Sequence, residues 1–265
     1  MTSLPPTVFD LDNYARLNAA REALLRSTVP ELQRSLGLAT AADIGCGSGY
    51  FSALLGKMGF RVVALDGRPE NVAEARRRNP EIDFRVGDVE DDTVRNLGAI
   101  DLVLCLGLLY HLENPFRGIR NLYAITGKIL LIESVFLPGD DPVLTLRDES
   151  PDEDQGLRHV AFYPTEPGLV KMLFRAGFSG VYRFHPLPDH EHFRSTPASR
   201  RVRTMLVASR IRLAFPFLTL LSEPSTPPDP WKTAWGRATE PVGRLARFLR
   251  LSWPEKRIAL RKRQG

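Results

Sequence analysis

Apolar and polar positions along this chain alternate between two periods. Short apolar runs at 39–44, 61–65, 82–86, 102–106 and 129–135 have the length of buried strands. Amphipathic stretches at 50–58, about 69–78 and 114–125 fall between them and predict helices, two of them opened by Pro69 and Pro115, where a missing amide is tolerated. A chain that repeats strand then helix sets parallel strands side by side and covers both faces of the sheet. Residues 11–28 place Leu17, Ala20, Leu24 and Leu25 on one face and predict an N-terminal helix ending before Pro30. A helix at 166–175 that stops at Gly177, then strands at 181–184 and 203–208, completes the pattern.

The rhythm breaks between 136 and 163. That segment is polar, acidic and Pro-containing, and a connection of this length predicts a solvated lid over a site. After Ser209 the character changes again, to a short apolar stretch at 211–221, a Pro-rich linker at 223–230 and a basic helix at 236–252. The expected organisation is therefore N-terminal helices over 1–34, a central domain over 35–209 with a lid at 136–165, and a basic extension over 210–265.

Charge sharpens that division. Residues 1–193 carry 20 Lys and Arg against 27 Asp and Glu, whereas residues 194–265 carry 16 against 4, and Trp231, Trp235 and Trp253 all lie in the second part. At 265 residues the chain can hold one sizeable domain with additions. Cys46 and Cys105 make no disulfide framework and read as small buried residues. The N-terminus lacks a basic segment followed by an apolar one, and no apolar run approaches the roughly 20 residues of a membrane span. A cytoplasmic setting is expected, with a membrane surface open to the basic extension.

Candidate chemistry begins where the first predicted strand ends, in Asp43-Ile44-Gly45-Cys46-Gly47-Ser48-Gly49. Glycine lets the main chain turn sharply and touch a ligand. Asp66 ends the next strand, 17 residues after Gly49, where an acid can accept from ribose hydroxyls. A dinucleotide fingerprint counted from Gly45 requires glycine at position 50, which is Tyr50. Glycines at 45, 47 and 49 behind Asp43 instead resemble motif I of the class I S-adenosylmethionine-dependent methyltransferases.

This resemblance spans about 35–209. It implies a Rossmann-like α/β fold with a seven-stranded sheet in the order 3-2-1-4-5-7-6, and S-adenosyl-L-methionine as cofactor. By the same resemblance Gly45, Gly47 and Gly49 approach the methionine part and Asp43 its ammonium, directly or through water. Asp66 holds the ribose, Asp88 accepts from the adenine amino group with Val89 on the ring, and Leu106 and Gly107 line the sulfonium end. Asp66 and Asp88 also suit helix caps or turns. The N-terminal helices are expected to cover the cofactor.

The acceptor is less legible. His111, just past the fourth strand, is a candidate base or a packing residue, Tyr110 a candidate wall of the acceptor pocket, and Glu133 either an acceptor ligand or a loop anchor. In the lid, Asp148, Asp152, Asp154, His159 and Tyr163 lack an ordered ligand spacing, so no metal site is predicted. The expected activity is methyl transfer to a small molecule, with a secondary metabolite, a glycan and a lipid-linked acceptor as the candidate classes and oxygen preferred to nitrogen because of His111. Residues 107–111 are also similar to the bacterial tRNA wobble-uridine carboxymethyltransferases, which implies tRNA modification as the alternative. Arg200, Arg201, Arg203, Arg244, Arg247, Arg250, Lys256, Arg257, Arg261, Lys262 and Arg263 suit RNA phosphates, an anionic membrane surface, or packing back on the acidic domain. A non-catalytic scaffold with this fold is the third alternative.

Overall fold

Residues 11–150, 156–196 and 199–225 are described by a computed structural model. Five strands run parallel through its centre: β1 (Thr40–Ile44), β2 (Arg61–Asp66), β3 (Asp83–Val86), β4 (Ile100–Leu106) and β5 (Thr126–Val135). β6 (Leu144–Asp148) and β7 (Val160–Pro164) form a separate antiparallel pair. β8 (Gly180–Phe184), β9 (Arg203–Ser209) and β10 (Leu218–Leu221) complete the main sheet, whose order is β10-β8-β9-β5-β4-β1-β2-β3. β9 is antiparallel to both β5 and β8, and β10 is antiparallel to β8. The α/β class is as expected, and the order differs from the seven-stranded one by an eighth strand at the edge. Only four residues long and half exposed, Leu218–Leu221 carries too short a pattern to be told from a loop in sequence.

The helices are α1 (Asp12–Leu36), α2 (Tyr50–Lys57), α3 (Pro69–Arg78), α4 (Pro115–Ile125) and α5 (Glu166–Ala176). β4 from Leu102 to Leu106 and β5 from Ile129 to Ile132 are apolar because both of their faces are covered. Leu102, Leu104, Ile129 and Leu131 pack with residues of α1 and α2, while Val103, Cys105, Leu130 and Ile132 pack with those of α4 and α5. Each such fully buried side chain contributes about 1.5–3 kcal/mol.

α1 does not stop before Pro30. It continues to Leu36 and closes on Gly37, whose φ is 61°. An interior proline costs about 3 kcal/mol by removing an amide and crowding the preceding turn. Burial of Val29 and Leu32 on either side of it outweighs that cost, and the Thr28 hydroxyl donates to Leu24 O at 2.8 Å in the same turn.

The described residues of the 136–163 segment likewise include regular structure. β6 and β7 make it a ribbon, invisible to periodicity because every residue of β6 is exposed and buries no face. Asp152 and Asp154 of the lid lie outside the described residues, as do the predicted helix at 236–252, the three tryptophans and every cation of the extension from Arg244 onward. No described helix is long and apolar enough to cross a membrane.

Candidate active site

β1 delivers the chain to a turn in which Gly45, Gly47 and Gly49 take φ values of 77°, 51° and 86°. These lie in the left-handed region that other residues avoid. The amides of Gly45 and Cys46 donate to Leu65 O of the neighbouring strand at 2.8 and 3.1 Å, which fixes the turn against β2. Gly49 is also needed for space, since a Cβ there would stand 2.9 Å from the Phe84 ring.

Asp66 ends β2 and faces this turn. One carboxylate oxygen accepts from Gly47 N at 2.9 Å, and the other from Arg68 N at 2.9 Å and Asn71 Nδ2 at 3.1 Å. It is therefore a turn anchor as well as a cleft residue. Asp88, past the end of β3, accepts from Glu90 N at 2.9 Å and from Arg158 Nη2 at 3.0 Å.

Of the residues singled out in the sequence, Gly45, Gly47, Asp66, Asp88, Val89, Leu106, Gly107, Tyr110 and His111 line one cleft at the carboxyl ends of β1, β2 and β4. Asp43, Gly49 and Glu133 stand behind its surface. Asp43 is buried and accepts from the Ser52 hydroxyl at 2.6 Å, and burial pushes its carboxyl up to about 6.

Glu133 is fully buried at the end of β5, clasped by Arg21 Nη2 at 2.5 Å and Arg203 Nη1 at 2.8 Å. Burial alone would raise its pKa, but the two guanidiniums reverse that and hold it below the usual carboxylate range. Arg203 also donates to the Tyr110 hydroxyl at 3.1 Å, and Arg21 to Asn18 Oδ1 at 2.9 Å. Both arginines line the cleft. Arg201 and Arg203, which the sequence leaves open to RNA phosphates, a membrane surface or packing on the acidic domain, turn inward: Arg201 pairs with Glu166 at 2.6 Å and Arg203 with Glu133. They flank the start of β9, whose pairing with β5 carries them onto buried acids.

His111 sits in a one-turn 3-10 helix after β4. Its Nδ1 is 2.7 Å from Glu149 Oε1, and the other oxygen of Glu149 accepts from Gly156 N at 2.7 Å. Gly156 lies so close that a Cβ there would come within 2.4 Å of His111 O. The Tyr110 ring packs between His111 and Tyr163, at centroid distances of 4.2 and 5.7 Å. Glu149 escaped notice in sequence because it stands in an acid-rich run that reads as solvated. Its neighbours Asp148 and His159 are exposed.

Residues 156–158 line the cleft as well. Leu157 rests on Gly67, where a Cβ would stand 2.5 Å from its Cδ1, and Arg158 reaches Asp88. Residues 156–158 thus bridge the acids of the second and third strands to His111.

Residues 42–128 match the family model described as a methyltransferase domain. Over 86 residues the chain is 37% identical to a ubiquinone biosynthesis O-methyltransferase of Xanthomonas campestris pv. campestris (strain B100), a stretch that is 31% of this chain and 36% of that protein's length. A related protein of Xanthomonas axonopodis pv. citri (strain 306) is 35% identical over 100 residues, 42% of its length. Among solved structures, the N-terminal domain of EvdMO1 with SAH bound superposes with a TM-score of 0.57 at 23% identity, covering 74% of this chain and 81% of that one. Magnesium protoporphyrin IX methyltransferase from Synechocystis PCC 6803, with SAH bound, gives 0.52 at 19% identity, covering 78% and 90%. Domain match and shared fold agree with the glycine turn and the acids at the strand ends: residues 42–128 match a methyltransferase domain, on a fold shared with the SAH-bound domain of EvdMO1.

Proposed function

We propose that this chain transfers a methyl group from S-adenosylmethionine to a hydroxyl oxygen of a small molecule. The observation that carries the proposal is one cleft lined by the glycine turn, Asp66, Asp88 and His111, with Glu149 bonded to the His111 ring. The residues fit the cofactor: positive-φ glycines leave backbone open to a ligand, and two carboxylates at adjacent strand ends suit ribose and an exocyclic amine. Gly45 and Gly47 would border the methionine part, Asp66 the ribose, and Asp88 with Val89 the adenine. Asp43, behind the turn, would act on the ammonium through an intermediary.

When bound, S-adenosylmethionine supplies a methyl group already activated by its sulfonium. What remains for the chain is to hold the acceptor in line and to take its proton. Glu149 accepts from Nδ1–H of His111, which leaves the lone pair on Nε2 of a ring that lines the cleft and stabilises the imidazolium after proton transfer. An oxygen acceptor must lose a proton, and this pair suits that need. Gly156, Leu157 and Arg158 line the same cleft.

The tRNA alternative loses support because Arg201 and Arg203 are engaged by Glu166 and Glu133. The test is incubation of the protein with methyl-labelled S-adenosylmethionine and an extract of source cells, followed by partition into RNA, protein, lipid and small-molecule fractions. Label in the small-molecule or lipid fraction supports the proposal. Label in RNA alone, or none above a heat-killed control, counts against it.

A further inference from the structure

The two acids that would hold the ribose and the adenine stand on adjacent strands. Asp66 of β2 is in register with Val86 of β3, and Asp88 follows Val86 by two residues. Neighbouring strands are about 4.8 Å apart. Under the proposed function, on which this inference rests, the nucleoside of the donor lies across this junction. Gly67, the residue after Asp66, brings no side chain to it.

Leu157 fills that gap from a distant part of the chain. A Cβ on Gly67 would stand 2.5 Å from Leu157 Cδ1, so the leucine occupies the space that a side chain at position 67 would take. It is held there from both sides. Arg158 donates to Asp88 Oδ2 at 3.0 Å, and Gly156 N donates to Glu149 Oε2 at 2.7 Å. Residues 156–158 therefore reach from the ribose acid to the adenine acid.

Leu157 lines the cleft and is 44% exposed, whereas Ile44, Leu65, Val89 and Leu106 on the same cleft are buried. An aliphatic side chain pinned in a cleft and left half open gains by meeting an apolar ligand surface, and the ring of a purine supplies one. Asp88 keeps its capacity for the exocyclic amine beside it. One of its oxygens accepts from Glu90 N and the other from Arg158, and each oxygen carries a second lone pair.

We propose that Leu157 is a wall of the adenine pocket, packing on the purine ring of the donor from the segment between β6 and β7. Because Gly156 also holds Glu149, the contact to the purine and the orientation of His111 depend on the same three residues.

The test uses the full chain with methyl-labelled leucine, the Leu157 signals being identified by their absence from Leu157→Ala. Methylthioadenosine, which carries the adenosine of the donor without its amino-acid part, is titrated by NMR alongside S-adenosylhomocysteine and homocysteine. Both nucleosides are expected to move the Leu157 methyl signals upfield and saturably through the ring current of the purine, and homocysteine should leave them in place. Leu157→Ala should weaken the two nucleosides by the same factor, about five- to tenfold. Gly67→Ala, whose new methyl displaces Leu157, should weaken both to a similar degree and cost nothing further when added to Leu157→Ala. Unmoved Leu157 signals at saturation, undiminished affinity in Leu157→Ala, or a loss confined to S-adenosylhomocysteine would overturn the wall. Tighter nucleoside binding in Leu157→Ala would also overturn it, by making the leucine an occupant of the adenine position. Wild-type protein that binds neither nucleoside would remove the methyltransferase reading and the wall together, whereas binding with unmoved Leu157 signals would remove the wall alone.

Discussion

His111 Nδ1 and Glu149 Oε1 meet at 2.7 Å across 38 residues of sequence, joining the turn after β4 to the lid. A carboxylate in this position fixes the tautomer of the ring, so the proposed base is tied to the segment that carries Glu149. A positioned base contributes about 10²–10⁴-fold to rate, so His111→Gln should lower kcat at least a hundredfold and Glu149→Gln about tenfold. The double variant should be no slower than His111→Gln alone, because both substitutions remove the same step. Steady-state kinetics with an identified acceptor checks this, and additive losses would separate the two residues.

Glu133 is the second buried acid whose partners are remote, lying 112 and 70 positions from Arg21 and Arg203. Removing it strands two guanidiniums in the interior, a defect of about 3–5 kcal/mol. Glu133→Ala should therefore lower the melting temperature steeply. Because the folded-state pKa of Glu133 is lowered, its contribution is present above the ordinary value of 4.5 and is lost as pH falls through the folded-state value. Melting curves between pH 3 and 7 should show a flatter acid limb in Glu133→Gln than in the wild type.

Asp43 carries the opposite sign. Its pKa is raised from 3.8 to about 6, chiefly by burial, so its ionisation costs stability as pH rises through that window and the full cost is present above it. Asp43→Asn should melt higher than wild type at pH 7.5, by an amount on the order of 2 kcal/mol, and equally at pH 4. Weaker donor binding in the same variant would show that the cost is retained for function. Unchanged melting at both pH values would contradict the assignment.

Strands, glycine turn, Asp66 and Asp88 were readable from sequence because each is encoded within a few residues: an apolar run, a left-handed turn, an acid at a strand end. Pro30 misled because the burial of Val29 and Leu32, a tertiary matter, decides whether the helix continues. β6 and β10 were hidden because they bury too little to impose a period. Arg21, Arg203 and Glu149 were hidden for a different reason. Their roles depend on partners that only the sheet order and the lid bring near, and a surface arginine and a clasped one look alike in sequence. Arg203 was seen as a charge and missed as a partner.

The most direct test of the account is calorimetric titration of S-adenosylhomocysteine into wild-type protein and into Asp66→Ala. Asp66 both faces the cleft and anchors the glycine turn through Gly47 N, so its loss should weaken binding at least tenfold while the protein remains folded. Saturable binding by the wild type together with that loss is the predicted result. Wild-type protein that does not bind, or Asp66→Ala that binds with undiminished affinity, would contradict the assignment of this cleft to the methyl donor.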